Sequence, residues 1–227
     1  MALLGKAALA MWWDIAPEMK AAFEDWHSHE HFPERMGIPG FRRGSRWRCA
    51  AGQEGIFVMY ELDAYDTLSS SQYLARLNAP TPWSTKMMPH HRNMVRSQCI
   101  VLESNGGGVA ASGVTVRLSP AAQRGDELRA FLKSLICNLS TMPGLVGAHL
   151  LKHRTPEIET TLEQKIRGGG DQAADWVFVA CGYDVDTVDS LSKNELCAES
   201  LAERGAVAGA VSARYELSHS ATPGDVC

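Results

Sequence analysis

Apolar residues recur along the chain with two periods, and one order of strand-like and helix-like stretches occurs twice. An apolar run at 6–14 predicts a first strand. Pro17 suits the first turn of a helix, where its missing N–H costs nothing. From there Met19, Ala22, Phe23 and Trp26 form a stripe of helical spacing that turns polar at Glu30. That helix is expected to stop near Pro33 or soon after it. Pro39-Gly40 signals a turn. Segments 41–50 and 55–63 predict two strands joined by a hairpin loop at 51–54. A helix at 68–77 follows, then Pro80, Pro82 and Pro89 break the chain into turns and a short helical piece, and 92–103 reads as a strand. The second series predicts strands at 113–119, 144–154, 175–184 and 207–217, with helices at 124–140 and 185–204.

The repetition reaches individual residues. Met36-Gly37-Ile38-Pro39-Gly40-Phe41 returns as Thr141-Met142-Pro143-Gly144-Leu145 at an offset of 104. Ile56–Asp63 returns as Val177–Asp184 at an offset of 121. The 17 extra positions fall in the polar stretch between His153 and Trp176, and a polar loop this long inside a compact unit is functional or disordered. Two copies of a βαββαβ unit follow, each too open to bury its own core. Such a unit makes an antiparallel sheet with both helices on one face, so its bare face needs a cover. The expected fold class is therefore α+β, with tandem units packed sheet to sheet. Residues 1–104 form the first unit, 105–113 a Gly-rich linker without packing information, 114–218 the second unit and 219–227 a loose tail.

Composition narrows the partners. The chain is 45% hydrophobic and 21% charged, as in ordinary globular proteins. Its net charge is −4 and neither half is strongly basic, so no nucleic-acid partner is expected. Cys49, Cys99, Cys137, Cys181, Cys197 and Cys227 show no close spacing, which points to a reducing cytoplasm rather than a disulfide framework. The apolar N-terminal stretch 2–13 is interrupted by Lys6 and has no basic region before it, so it reads as a strand, not a signal peptide. No run approaches the roughly 18 apolar residues of a membrane span.

Candidate chemistry is confined to the first unit. Five of the eight histidines fall in two clusters, His27, His29, His31 and His90, His91. His27 and His31 are four apart and share a helix face, Glu30 and Glu34 lie one step round, and His29 points elsewhere. Imidazoles titrate near neutrality, and a carboxylate beside one can fix its tautomer, so His27 or His31 suits a base, His90 or His91 its acid partner, and Glu30 or Glu34 an orienting group. The bland reading is surface histidines and helix caps. The corresponding segment of the second unit, Phe131–Leu135, carries no histidine. His27 and His31 also match the spacing of zinc-binding helices, but HExxH is absent. By strand alternation Phe41, Arg43, Ser45, Trp47 and Cys49 share one face, while Arg42, Gly44, Arg46 and Arg48 form a solvated row. Arg43, a charge in an apolar row, either binds a substrate oxyanion or pairs with Glu61. Trp26, Trp47, Tyr60 and Trp83 are core residues that can also line a pocket for an aromatic ligand. No nucleophile elbow occurs, and neither Gly106–Gly108 nor Gly168–Gly170 is a phosphate loop.

The two units, together with Trp26-His27-Ser28-His29-Glu30-His31-Phe32-Pro33-Glu34-Arg35 and Met88-Pro89-His90-His91-Arg92-Asn93, resemble the dimeric α/β-barrel superfamily of ferredoxin-like domains in its fused form. Within it the chain is most similar to uncharacterised bacterial tandem proteins related to the EthD-like group. The resemblance covers about residues 3–218 and implies an intrachain dimeric α/β barrel. The superfamily includes cyclases, isomerases, cofactor-free monooxygenases and haem enzymes, so it does not choose a reaction. Its haem enzymes use one proximal histidine, and none stands alone here. The expectation is a cofactor-independent acid/base enzyme, an isomerase, dehydratase, cyclase or lyase, acting on a small oxygenated metabolite, with no bound metal. The alternatives are a non-catalytic ligand-binding or stress-related protein and a His-ligated metal-dependent oxygenase or hydrolase. A homodimer through helices or edge strands remains open to such a chain.

Overall fold

The computed structural model describes residues 3–50, 55–155 and 157–226; the hairpin expected at 51–54 and Cys227 lie outside them. Eight antiparallel strands close into one barrel. They are β1 (Ala7–Asp14), β2 (Phe41–Cys49), β3 (Gly55–Leu62), β4 (Arg92–Gly106), β5 (Ser112–Leu118), β6 (Leu145–His153), β7 (Trp176–Gly182) and β8 (Val211–Ala221), in the order β1-β3-β2-β8-β5-β7-β6-β4. Each unit contributes a four-stranded sheet of ferredoxin-like order, and the sheets join at both edges, β2 to β8 and β4 to β6. The fold is thus the α+β dimeric barrel made within one chain. Because the barrel closes, none of the eight described strands is left as an edge, so the edge-strand route to a homodimer has no free strand among the described residues.

The internal repeat is visible atom by atom. Gly40 and Gly144 both adopt left-handed backbone, at φ +92° and +93°, and in each a Cβ would come 2.6 Å from a threonine hydroxyl, Thr67 or Thr187. The carbonyl of each glycine accepts the N–H of the matching aspartate, Asp63 at 2.8 Å and Asp184 at 3.2 Å. The Pro-Gly turn is therefore the same device in both units, and only glycine fits its φ without strain.

Strand alternation assigns two cores to each wall. Residues such as Leu9, Trp13, Val58 and Tyr60 face outward under the helices of the first unit. Trp12, Trp47, Phe57, Cys99, Leu151 and Tyr215 fill the barrel interior. The outer face of the second unit is covered by α5 (Gly125–Leu139), α7 (Val185–Lys193) and α8 (Ala198–Glu203), whose Leu128, Leu132, Ile136 and Leu191 make an all-apolar layer. Where the first unit carries histidines, the second carries leucines.

Several expectations change. Gly106 is not linker but the end of β4, paired with Gly147, and β4 runs 15 residues because it bonds to β1 in one unit and β6 in the other. The tail is ordered in part: β8 continues to Ala221, opposite Gly44, and a short 3-10 turn follows at Pro223–Asp225. The helix expected at 185–204 is two helices, α7 and α8. The row thought solvated contains Arg46, which is buried because the first helix lies across it; Arg46 stands over Phe23 and donates to the Glu24 carbonyl at 3.3 Å.

Candidate active site

The first helical stretch does not stop at Pro33. It runs through α1 (Lys20–Trp26), a π-helical turn at His27–His31 and α2 (Phe32–Met36). Pro33 has no N–H for the carbonyl four residues back, and its ring crowds that carbonyl, so the preceding turn widens. The Phe32 N–H donates to the His27 carbonyl, five residues earlier. Proline thus places His27, His29 and His31 in a π turn, a feature that gathers at functional sites.

A cavity lies between this stretch and the outer face of the barrel. By alternation β1 contributes Leu9, Met11 and Trp13, β3 Tyr60, and β4 Met94 and Arg96. Trp26, His27, His31 and Arg35 come from the helical stretch, Tyr73 and Leu77 from α3 (Ser71–Asn78), and Met88 and His91 from the turn before β4. The last side belongs to the second unit: Thr161, Glu163, Gln164 and Arg167, on or beside α6 (Leu162–Ile166) in the insertion. The void is about 40 Å³, room for roughly three waters. Trp13, His91, Met94 and Arg167 also line a wider outer chamber of about 560 Å³, so they form a neck between the two.

The histidine clusters converge in part. The rings of His27 and His31 are 5.3 Å apart, His31 lies 4.6 Å from Trp26, and His91 lies 5.0 Å from Trp13 and 5.8 Å from Trp26. Burial holds all three imidazoles below their ordinary titration range. His31 and Arg46 add to the effect on His27, Arg35 and His91 on His31, and Arg167 on His91, which is brought down to about 4. The rings are therefore neutral near pH 7. His91 Nδ1 lies 3.1 Å from the Met88 carbonyl; an N–H there leaves Nε2 as an open acceptor. Among the described residues, seven buried side-chain polar atoms lack a hydrogen-bond partner. Five belong to this lining: Trp13 Nε1, His27 Nδ1, His31 Nδ1, Tyr60 OH and Arg167 Nε. Unpaired buried groups are rare in folded proteins, and here they concentrate in one place.

The insertion is fastened over the cavity. Arg35 Nη2 donates to Glu163 Oε1 at 2.5 Å, with both side chains at least 96% buried. The Leu162 N–H donates to Asn78 Oδ1 at 3.0 Å, and Gln172 exchanges backbone bonds with Met94 and Arg96. Arg167 pairs with Asp171 at 2.9 Å and with Glu163 at 3.9 Å. Sequence reasoning assigned no site role to Arg35, Tyr73, Arg96, Glu163 or Arg167. One signal was available: Thr161 and Gln164 form a capping box inside the insertion, a pattern readable as Thr-x-x-Gln.

Other expected site residues lie elsewhere. Glu30 orients no imidazole; its Oε1 accepts from Trp26 Nε1 at 3.1 Å, Ser84 Oγ at 3.2 Å and Thr81 Oγ1. Glu34 pairs with Arg35 and Arg76, and burial raises its carboxyl, more than Arg35 lowers it. His90 sits half-buried beside the site without lining it. Arg43 faces the barrel interior and pairs with Glu61 at 2.6 Å, directly opposite it in the strand register, so of its two expected roles the internal ion pair is the one found. Trp47 is also interior, and Trp83, on α4 (Pro82–Met87), packs on the core of the first unit outside the cavity lining. Among the described residues no three His, Cys, Asp or Glu side chains converge as metal ligands do.

The histidine shifts predict how stability depends on pH. The unfolded chain protonates these rings near 6.5, whereas the folded protein holds them neutral to lower pH. Their contribution is complete above pH 6.5 and is lost as pH falls through the folded values, toward 4 for His91. Calorimetry should show Tm dropping across that window, and less so in His91→Asn. Equal drops in both proteins would contradict the neutral assignment of His91.

Comparison with solved structures gives the fold a context. The chain is similar to a candidate monooxygenase from Fusobacterium nucleatum (TM-score 0.64, 8% identity, 97% of this chain and 96% of that one). It is similar also to an anthrone oxidase-like protein (TM-score 0.64, 12% identity, 99% and 96%). A third likeness is to a candidate monooxygenase from Lactobacillus acidophilus (TM-score 0.62, 8% identity, 98% and 98%). At such identities the shared property is the fold. The sequence matches no family model and no curated protein, so what the comparisons support is the fold, and the EthD-like resemblance gains nothing from them. No helix among the described residues is long and apolar enough to cross a membrane.

Proposed function

We propose that the chain is a cofactor-independent acid/base enzyme that takes a proton from a small, oxygenated, aromatic or carbonyl-bearing molecule. The observation that carries this reading is the set of five unpartnered polar atoms in one aromatic-lined cavity. A neutral imidazole, His31 or the Nε2 of His91, accepts the proton from an acidic O–H or C–H. The arginines that, after burial, help to keep these rings neutral at rest favour the oxyanion that forms, and Tyr60 OH and Trp13 Nε1 can donate to it. The same imidazole, once protonated, is the acid that returns the proton elsewhere. That sequence supports an isomerase, dehydratase, cyclase or lyase step and replaces the standing acid partner first expected of His90 or His91. In this reading the substrate is a small molecule, the protein works in the cytoplasm, and any homodimer is incidental to the site.

Ligand binding without turnover uses the same five atoms. Solvent exchange separates the two. In D2O the protein should accelerate exchange of the acidic C–H of an enolisable aromatic ketone such as 2-tetralone, followed by NMR. Tight binding of such ketones without faster exchange would make the chain a binder, and stoichiometric zinc, iron or manganese in active protein would make it a metalloenzyme.

A further inference from the structure

We infer that the outer chamber is a carboxylate-binding subsite, and that the ligand is an elongated aromatic monoanion with its acidic group inward and its carboxylate at Arg117. This rests on the proton-transfer reading of the inner cavity and adds the substrate class. Volume comes first. The inner void of about 40 Å³ accepts only the reacting end of a ligand, so the remainder must occupy the neck and the 560 Å³ beyond it. The neck presents Trp13 and Met94, surfaces suited to a flat ring.

Charge comes second. The two linings together carry Arg35, Arg96, Arg117 and Arg167 against Asp14, Glu163 and Asp171, one positive charge in excess, with the imidazoles neutral. The acids are engaged: Glu163 by Arg35, Asp171 by Arg167 at 2.9 Å, and Asp14 by Asn93 Nδ2 at 2.8 Å. Arg117 has no carboxylate partner among the described residues; it stands 5.5 Å over the Trp12 ring, which holds the guanidinium in place. Arg167 supplies an independent pointer at the neck: its side chain is 90% buried, and its Nε has no partner. A guanidinium held over an aromatic ring with its donors uncommitted favours a carboxylate.

The test uses two fluorescence-quenching probes read through Trp12, Trp13 and Trp26. 6-Hydroxy-2-naphthoate carries a hydroxyl and a carboxylate at opposite ends, and 2-naphthol lacks the carboxylate. Wild-type protein should bind the naphthoate at least about tenfold more tightly, a difference of about 1.4 kcal/mol. Arg117→Gln should bring the two affinities within about twofold by weakening the naphthoate alone, and Arg117→Lys should retain part of the preference. Equal affinities in wild type, no naphthoate binding, or equal weakening of both probes by Arg117→Gln would overturn the subsite. Binding of 2-naphthol without a carboxylate preference rejects the subsite and leaves the proton-transfer reading standing, since ketone exchange judges that reading separately.

Discussion

Replacing Arg35 with leucine is expected to destabilise the protein by about 3–5 kcal/mol, the usual result of removing one partner from a buried ion pair. Arg35 is 3% exposed and its partner Glu163 4%. Without the guanidinium, Glu163 keeps among the described residues only Arg167 at 3.9 Å, too far for a hydrogen bond. Leucine restores some apolar volume, so the cost is that of a stranded carboxylate rather than of a void. Urea unfolding with an unchanged m-value would measure it. Arg35→Leu/Glu163→Leu should regain most of the loss, because removing both charges removes the stranded one. A single variant as stable as wild type would mean that the insertion does not rest on this pair.

His31→Ala is expected to lower turnover by about 10²–10⁴ while leaving Tm nearly unchanged, the range associated with loss of a positioned acid or base. The imidazole is buried and its Nδ1 bonds to nothing in the fold, so its removal breaks no hydrogen bond at that atom. Burial and Arg35 act against its protonation, which gives a second readout. If His31 is the base, the acidic limb of kcat/KM in wild type lies below pH 6.5, and in the variant that limb moves or disappears. Full activity in His31→Ala would reject the site as described.

The barrel was legible because its determinants are local and duplicated. Pro39-Gly40 and Pro143-Gly144 mark the same turn, alternation marks the strands, and a twice-written pattern excludes most other topologies. The histidine face was legible for the same reason, since His27 and His31 are neighbours along one helix. The rest of the site was not. Glu163 lies 128 positions from Arg35, and no periodicity records where an inserted segment will dock. The 17 additional residues were recognised as functional or disordered, but their target was invisible. Alternation put Arg43 with Trp47 and opposite Glu61, as found, but it put Phe41 on the same face, and a bulge between the two turns Phe41 outward, a slip that alternation cannot foresee. Glu30 looked catalytic because it is adjacent to histidines, yet its bonds go to Trp26, Thr81 and Ser84.

One side of the histidine cavity is built by the other repeat's insertion, so neither half holds a complete site. Division of labour of this kind runs one way: the first half produced alone would carry histidines without a roof, and the second a roof with nothing beneath it.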